Sequence, residues 1–336
     1  MAITGISRID QLLGGQTESI GPNVSDQEAV GVLQDLLIGH DIKGLPGLLG
    51  KGRGLFGNNT AGAVREFQKA QKLPETGVVD SATLRRMVEV PSVKPIACLG
   101  YLALSLDILF KGMIRVMSLT SQFEGAGLFT ALNRNTDRAG LSFGLIQWAQ
   151  KPGRLNEILR AFQAAQPALF VQIFGGGDAA LAQGLINHTA KPRGGTNEQG
   201  QTIDSRYDLT SEPWVSRFIQ AGRNRELQRV QVNMALAAFK KSFDRVRSFA
   251  PQIRTERGIA FMLDVANQHG DGGAQSIFTK VNKPGLSEAA LLAAIQQESV
   301  ARVRSQFGEG AEVQSTQNRR ETFRTTSLFM DQPFDA

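Results

Sequence analysis

The chain has 336 residues, 41% of them hydrophobic and 20% charged, the profile of an ordinary globular protein with room for two domains. Its formal charge of +6 is uneven: ten basic and ten acidic residues cancel in positions 1–100, and the excess of 27 over 21 lies beyond them, which suits an anionic polymer. Cys98 is the single cysteine, which excludes an internal disulfide and a cysteine-based metal site.

Residues 1–20 are polar and glycine-containing and read as a loose leader, with no basic stretch followed by an apolar one to mark a secretory signal. Synthesis in a reducing cytoplasm is the expectation. Residues 21–90 predict a small three-helix domain. Asp26 caps a first helix whose Ala29, Val30, Leu33, Leu36 and Leu37 recur at helical spacing. After the glycine-rich stretch Gly44–Gly57, Thr60 caps a second helix with Ala63, Val64 and Phe67 inward. The turn Leu73-Pro74-Glu75-Thr76-Gly77 leads to a third, capped by Asp80 or Ser81 and carrying Leu84 and Met87.

The pieces Val32-Leu33-Gln34, Phe56-Gly57-x-x-Thr60, Ala63-Val64-x-x-Phe67-Gln68, Leu73-x-x-x-Gly77-x-Val79-Asp80 and Thr83 keep a specific order and spacing. They resemble the three-helix peptidoglycan-binding domain attached to cell-wall hydrolases. The resemblance implies a wall-glycan ligand, held in the groove between the second helix and its flanking loops with Phe56 and Gln68 nearby.

Prolines 91 and 95 disfavour helix on either side, so residues 91–103 read as a linker and 104–336 as a second domain. The most apolar window, Pro95–Phe110, contains Asp107 and falls short of the roughly 20 residues a membrane span needs, so no stable membrane insertion is expected. Leu106, Leu109, Phe110, Met113, Ile114 and Met117 recur at helical spacing, and seven residues on from Met117 the same stripe reaches Glu124. A carboxyl on an apolar face is desolvated, which favours its protonated form and suits a general acid. Gly125 and Gly127 would end the helix there. Taken alone, Glu124 reads more simply as a last-turn glutamate with a solvated head.

The company of Asp137 changes that. It sits in the polar, turn-rich Asn133–Gly140, which predicts a hydrated, ionised carboxylate. Leu141, Phe143 and Leu145 then alternate with Ser142, Gly144 and Ile146 as in a strand. One carboxyl in an apolar setting and one in a polar setting is the division of labour that glycoside hydrolysis requires.

The run Asp137-x-x-Gly140-x-Ser142-x-Gly144-x-Ile146, followed by Gly153-x-Leu155, resembles the hairpin of the lysozyme-like superfamily, nearest its chitosanase branch. The later run Gly258-x-Ala260-Phe261-x-x-Asp264-x-x-x-Gln268-His269-Gly270 is similar to a helix of the same branch. The resemblance implies a mainly α, lysozyme-like α+β domain with a small β-hairpin beside the cleft. It implies Glu124 as acid, Asp137 as base and Ser142 as holder of the attacking water, with inversion at the anomeric centre. Gly144, Gln147, Asn267 and His269 would line the sugar site. The thirteen-residue gap from Glu124 to Asp137, and Arg138-Ala139 in place of a following glycine, depart from the branch's pattern. A basic second half and a wall-binding module point to peptidoglycan strands, hence to a muramidase. Chitosanase activity on chitosan, or a non-catalytic wall-binding protein of the same fold, are the alternatives.

His40, His188 and His269 lie too far apart for a short metal motif, so neither metal nor cofactor is expected. Gly175–Gly177 and Gly194-Gly195 read as loops, and 184–213 as a long surface loop able to cover the substrate. Arg217 to Arg247 form a solvated basic face with no nucleic-acid module beside it. Two helices, Ser287–Arg304 and about Thr316–Thr325, precede a loose tail from Leu328. The whole predicts a monomer that works on the wall after phage lysis or specialised secretion.

Overall fold

The computed structural model describes residues 7–90, 111–125, 127–326 and 328–333. The linker expected at 91–103 and the apolar window 95–110 lie outside the described residues. The fold is mainly helical with one small antiparallel sheet. It divides into two compact units, one of Met1–Leu109 with Ser118–Ala235 and one of Phe110–Met117 with Leu236–Ala336.

The first unit begins with α1 (Ser7–Leu13), α2 (Gln27–Gly39), α3 (Asn58–Ala70) and α4 (Ser81–Glu89). Two of the expected caps are present: the Asp26 carboxylate accepts from the Ala29 amide at 3.0 Å, and that of Asp80 from Thr83 at 2.7 Å. Thr60 is not a cap. Gly57 is the N-cap of α3, and Thr60 turns inward, donating to the Leu55 carbonyl and accepting from Gln34 Nε2 at 3.1 Å. Nor are residues 7–20 a loose leader. Ile9, Leu12 and Ile20 are fully buried, Ile20 and Val79 exchange both backbone hydrogen bonds, and Arg85 donates to the Leu13 carbonyl. Three apolar side chains in an otherwise polar stretch need cover, and the flank of α4 supplies it.

Two buried glutamines hold the two long turns of this bundle. Gln34 donates to the Leu55 carbonyl and accepts from the Gly54 amide at 2.9 Å. Gln68 donates to the Val78 carbonyl and to Thr83 Oγ1 and accepts from the Gly77 amide at 2.9 Å. Each therefore closes a loop through one glycine amide, one carbonyl and threonine hydroxyls, Thr60 for Gln34 and both Thr76 and Thr83 for Gln68.

Helix α5 (Lys111–Gly125) follows. From Val116 to Ser121 every residue is buried, so the expected stripe is in fact a helix covered on all sides. Strands β1 (Leu132–Arg134), β2 (Leu141–Phe143) and β3 (Trp148–Ala149) form an antiparallel meander, with Ser142 facing Asn133 on one side and Ala149 on the other. The hairpin thus has a third strand, which its two-residue length conceals in the sequence. Helices α6 (Arg154–Ala165), α7 (Pro167–Phe170), α8 (Ala179–Thr189), α9 (Trp214–Arg223) and α10 (Arg225–Phe249) complete the order up to the second unit. Phe143, Phe162, Phe170, Phe174 and Phe218 pack ring to ring at 5.0–6.2 Å between centroids and anchor β2 to these helices.

The second unit carries α11 (Glu256–Val281), α12 (Glu288–Phe307) and α13 (Ala311–Thr325). Gly270, at φ 72° and ψ 160°, breaks α11 into two segments. The C-terminal tail is docked rather than loose: Phe329 is buried, and Arg257 donates to the carbonyls of Thr326 and Phe329 at 2.7 Å each.

Candidate active site

Asp137 stands on the turn joining β1 to β2 and is exposed. Three short polar side chains build that turn by bonding to their own backbone. Asn133 Oδ1 accepts from the Thr136 amide at 2.9 Å and Asp137 Oδ1 from Ala139 at 3.1 Å. Asn135 Oδ1 accepts from Gly140 at 2.9 Å while its Nδ2 donates to the Gln199 carbonyl. Asn135 and Arg138 both take positive φ, 71° and 59°. The carboxylate of Asp137 is thereby held at the tip of a tightly determined loop.

Ser142 lies in the middle of β2 and is only 3% exposed. The expected alternation would have put it on an open face; with β1 on one side and β3 on the other, all of β2 is buried. Its hydroxyl makes no hydrogen bond to the described residues. Gly144, at φ 79°, is a position only glycine fills freely: a Cβ there would lie 2.4 Å from Gln231 Oε1. Gln147, also at positive φ, is half-buried and donates to the Gly144 carbonyl at 3.0 Å.

Two residues of this site escaped the sequence reading. Gln231 of α10 accepts from the Leu145 amide at 2.9 Å and donates to the Phe129 carbonyl at 3.0 Å. Gln150 accepts from Leu141 and donates to the Gly194 carbonyl at 2.8 Å. Both are buried and both bridge to partners distant in sequence, which no local pattern announces. The segment 184–213 is likewise not the free flap expected. Its first residues belong to α8, and its middle is fastened to the hairpin turn through Asn135 and through Lys151, whose Nζ donates to the Glu198 carbonyl at 2.7 Å.

Glu124 occupies the last turn of α5, where burial gives way: Thr120 and Ser121 are buried, whereas Gln122, Phe123 and Glu124 are half-buried. The expectation of a glutamate enclosed by apolar neighbours is therefore corrected to one at a helix end with part of its surface open. Asp137, Ser142, Gly144 and Gln147 are brought together on and around one sheet.

Asn267 and His269 belong to the second unit, on the last turn before the Gly270 break, and both are half-buried. His269 Nε2 lies 2.7 Å from Ser299 Oγ. Burial, with the positive charges of Arg320, Arg302 and Arg319, pushes its pKa from 6.5 down to about 4, against the smaller pull of Asp264. Asp264 is itself gripped by Arg319 at 2.7 Å and by Arg320, which also reaches Gln268 and Ser299. This is an interior polar network, and His269 is one of its members.

In the N-terminal bundle, Phe56 and Gln68 are 7% and 1% exposed, and Gln68 is fully engaged in its turn. Gln68 is a strut rather than a glycan contact. The open groove lies beside Phe56, with a volume of about 550 Å³, walled by Leu45, Pro46, Lys51, Leu55, Asn58 and Asn59. Half of the basic side chains on α9 and α10 are engaged within the protein, while Arg223, Arg229, Lys241 and Arg247 are exposed. Arg217 donates to the Phe174 carbonyl, Arg225 to that of Val88, and Lys240 and Arg245 pair with Asp244 and Asp271. Among the described residues, no group of three or more His, Cys, Asp or Glu side chains is placed to hold a metal ion, and no single helix is long and apolar enough to cross a membrane.

Residues 26–87 match the family model of the peptidoglycan binding domain. The N-terminal module is thus a peptidoglycan-binding domain by sequence. No curated protein matches the chain. Among solved structures, a mutant chitosanase from Bacillus subtilis MY002 complexed with 6 GlcN is similar with a TM-score of 0.47 at 15% identity, over 65% of this chain and 89% of that one. The native chitosanase from the same source gives 0.47 at 16% identity, over 62% of this chain and 86% of that one.

Proposed function

We propose that the protein is a muramidase, which binds peptidoglycan through its N-terminal module and hydrolyses the β-1,4 bond between N-acetylmuramic acid and N-acetylglucosamine. The observation that carries the reading is the Asp137 turn: an exposed carboxylate fixed by its own backbone, five residues before a serine whose hydroxyl is left unengaged, in a chain that carries a wall-binding domain.

In this mechanism Glu124 protonates the glycosidic oxygen. Asp137 takes the proton of a water that attacks the anomeric carbon, and Ser142 holds that water through its free hydroxyl. A water between the two carboxyl groups requires a separation of ~6.5–9.5 Å and inverts the anomeric centre. Gly144 and Gln147 shape the sheet edge beside the sugar. Release at phage lysis, or a dedicated secretion apparatus, would bring the enzyme to its polymer.

The test uses purified sacculi. Glu124→Gln and Asp137→Asn should abolish the loss of turbidity while sedimentation with sacculi persists, and mass spectrometry of wild-type digests should show intact muramic reducing ends. Lysis by Glu124→Gln at the wild-type rate rejects the mechanism. Reducing ends released from chitosan but not from sacculi would replace the substrate, and binding without any cleavage would leave a wall-anchoring protein.

A further inference from the structure

We infer that Arg134 and Arg138, which flank Asp137 on the β1–β2 turn, bind carboxylates of the wall polymer and so select an anionic glycan. This rests on the muramidase reading and gives it a specificity determinant.

Both arginines are exposed, and neither guanidinium makes a hydrogen bond or ion pair with the described residues. Some exposed arginines are paired, as Arg193 is with Glu198 and Arg245 with Asp271; these two instead stand open on either side of the candidate base. Arg138 is also held in a left-handed conformation, φ 59°, that a glycine would adopt without strain. A side chain is kept where the backbone favours none, directly after the candidate base. A third positive charge stands close by, since Lys151 Nζ lies 3.4 Å from the Arg138 carbonyl. The neighbouring Glu198 carboxylate is paired with Arg193, and Asp137 is the carboxylate that shares the turn with the two arginines.

A planar guanidinium receives a carboxylate through two parallel N–H···O bonds and repels an ammonium. Peptidoglycan offers carboxylates on its stem peptides, and on the muramic lactyl group wherever the stem has been removed, whereas chitosan offers ammonium groups along the chain. Substrate charge would therefore be read at the site of cleavage itself.

The experiment compares wild type, Arg134→Gln and Arg138→Gly on three substrates: intact sacculi, glycan strands freed of stem peptides by an amidase, and sacculi whose carboxylates have been amidated. Arg138→Gly relieves the backbone, so lost affinity cannot be ascribed to lost folding. On intact sacculi each variant should raise KM about two- to fivefold with kcat little changed, as for one exposed ion pair, and should flatten the salt dependence of KM. On amidated sacculi the difference from wild type should vanish. Removal of the stem also frees the lactyl carboxyl, so persistence on peptide-free strands shows that the arginines accept either carboxylate, and loss there confines the contact to the stem peptide. Wild-type KM and salt dependence in both variants, or an equal defect on amidated sacculi, overturns the inference. The same comparison by fluorescence titration of soluble strands, in a Glu124→Gln background, reads the arginines separately from catalysis. An affinity difference without any cleavage by wild type would sink the function and keep the binding site.

Discussion

Asn135 and Gln199 are 64 residues apart, and the Asn135 side-chain amide donates to the Gln199 carbonyl at 3.0 Å. The same side chain accepts from the Gly140 amide at 2.9 Å, so one asparagine fixes both the Asp137 turn and the segment lying against it. Asn135→Ala removes both bonds and puts alanine at φ 71°, where asparagine is better tolerated. We expect a loss of about 1–3 kcal/mol in stability, faster proteolysis within 196–201, and a fall in kcat larger than the change in KM. Thermal melts, limited proteolysis and steady-state kinetics on sacculi check this. Unchanged kcat in a loosened loop would separate the turn from the chemistry.

Gln68→Ala in the wall-binding bundle should behave as a folding mutation. It strips the Gly77 amide and the Val78 carbonyl of buried partners, which costs about 2–4 kcal/mol for the set. Urea denaturation followed by sedimentation with sacculi should show binding lost in step with unfolding. A fall in affinity at full stability would make Gln68 a direct glycan contact instead.

Asp264→Asn leaves the buried guanidinium groups of Arg319 and Arg320 without their carboxylate. Removing one member of an enclosed ion pair costs about 3–5 kcal/mol, enough to reduce soluble yield or lower the melting point by ten degrees or so. The measurement is differential scanning calorimetry of the whole chain. A melting point within about two degrees of wild type contradicts the arrangement.

His269 gives the second unit a pH dependence of definite sign. Its folded pKa of about 4 lies below the ordinary 6.5, so the unfolded chain binds the proton more readily. The contribution is fully present above about pH 6.5 and is lost as pH falls toward 4. With the ring half-buried and screened by solvent, ~1–2 kcal/mol is expected. His269→Gln, which keeps a partner for Ser299, should flatten the stability profile between pH 6.5 and 4 relative to wild type, as read by urea midpoints. Parallel profiles would refute the assignment.

What the sequence made legible was local. Asp26 and Asp80 cap their helices because a cap needs only three residues of context, and Asp137 in a polar turn follows from the residues around it. Thr60 looked like a cap for the same reason, yet a glutamine 26 residues upstream turns it inward. The alternation around Ser142 predicts a strand, but its burial comes from a third strand too short to show as alternation. Gln231 and Gln150 were invisible because their partners lie 86 and 44 residues away. The tail from Leu328 reads as loose, whereas Arg257 and Glu256 gather its backbone.

The two glutamine-held turns of the wall-binding bundle are built alike but differ in length: Gln34 reaches a threonine 26 residues ahead, Gln68 one 15 residues ahead. A clasp that grips a glycine amide, a carbonyl and threonine hydroxyls is indifferent to how much chain passes between them. Insertions within 44–52 should therefore leave the bundle standing while remodelling the wall of its open groove. The longer turn is where related modules can diverge in what they adhere to, and where an engineer would graft a new adhesive loop.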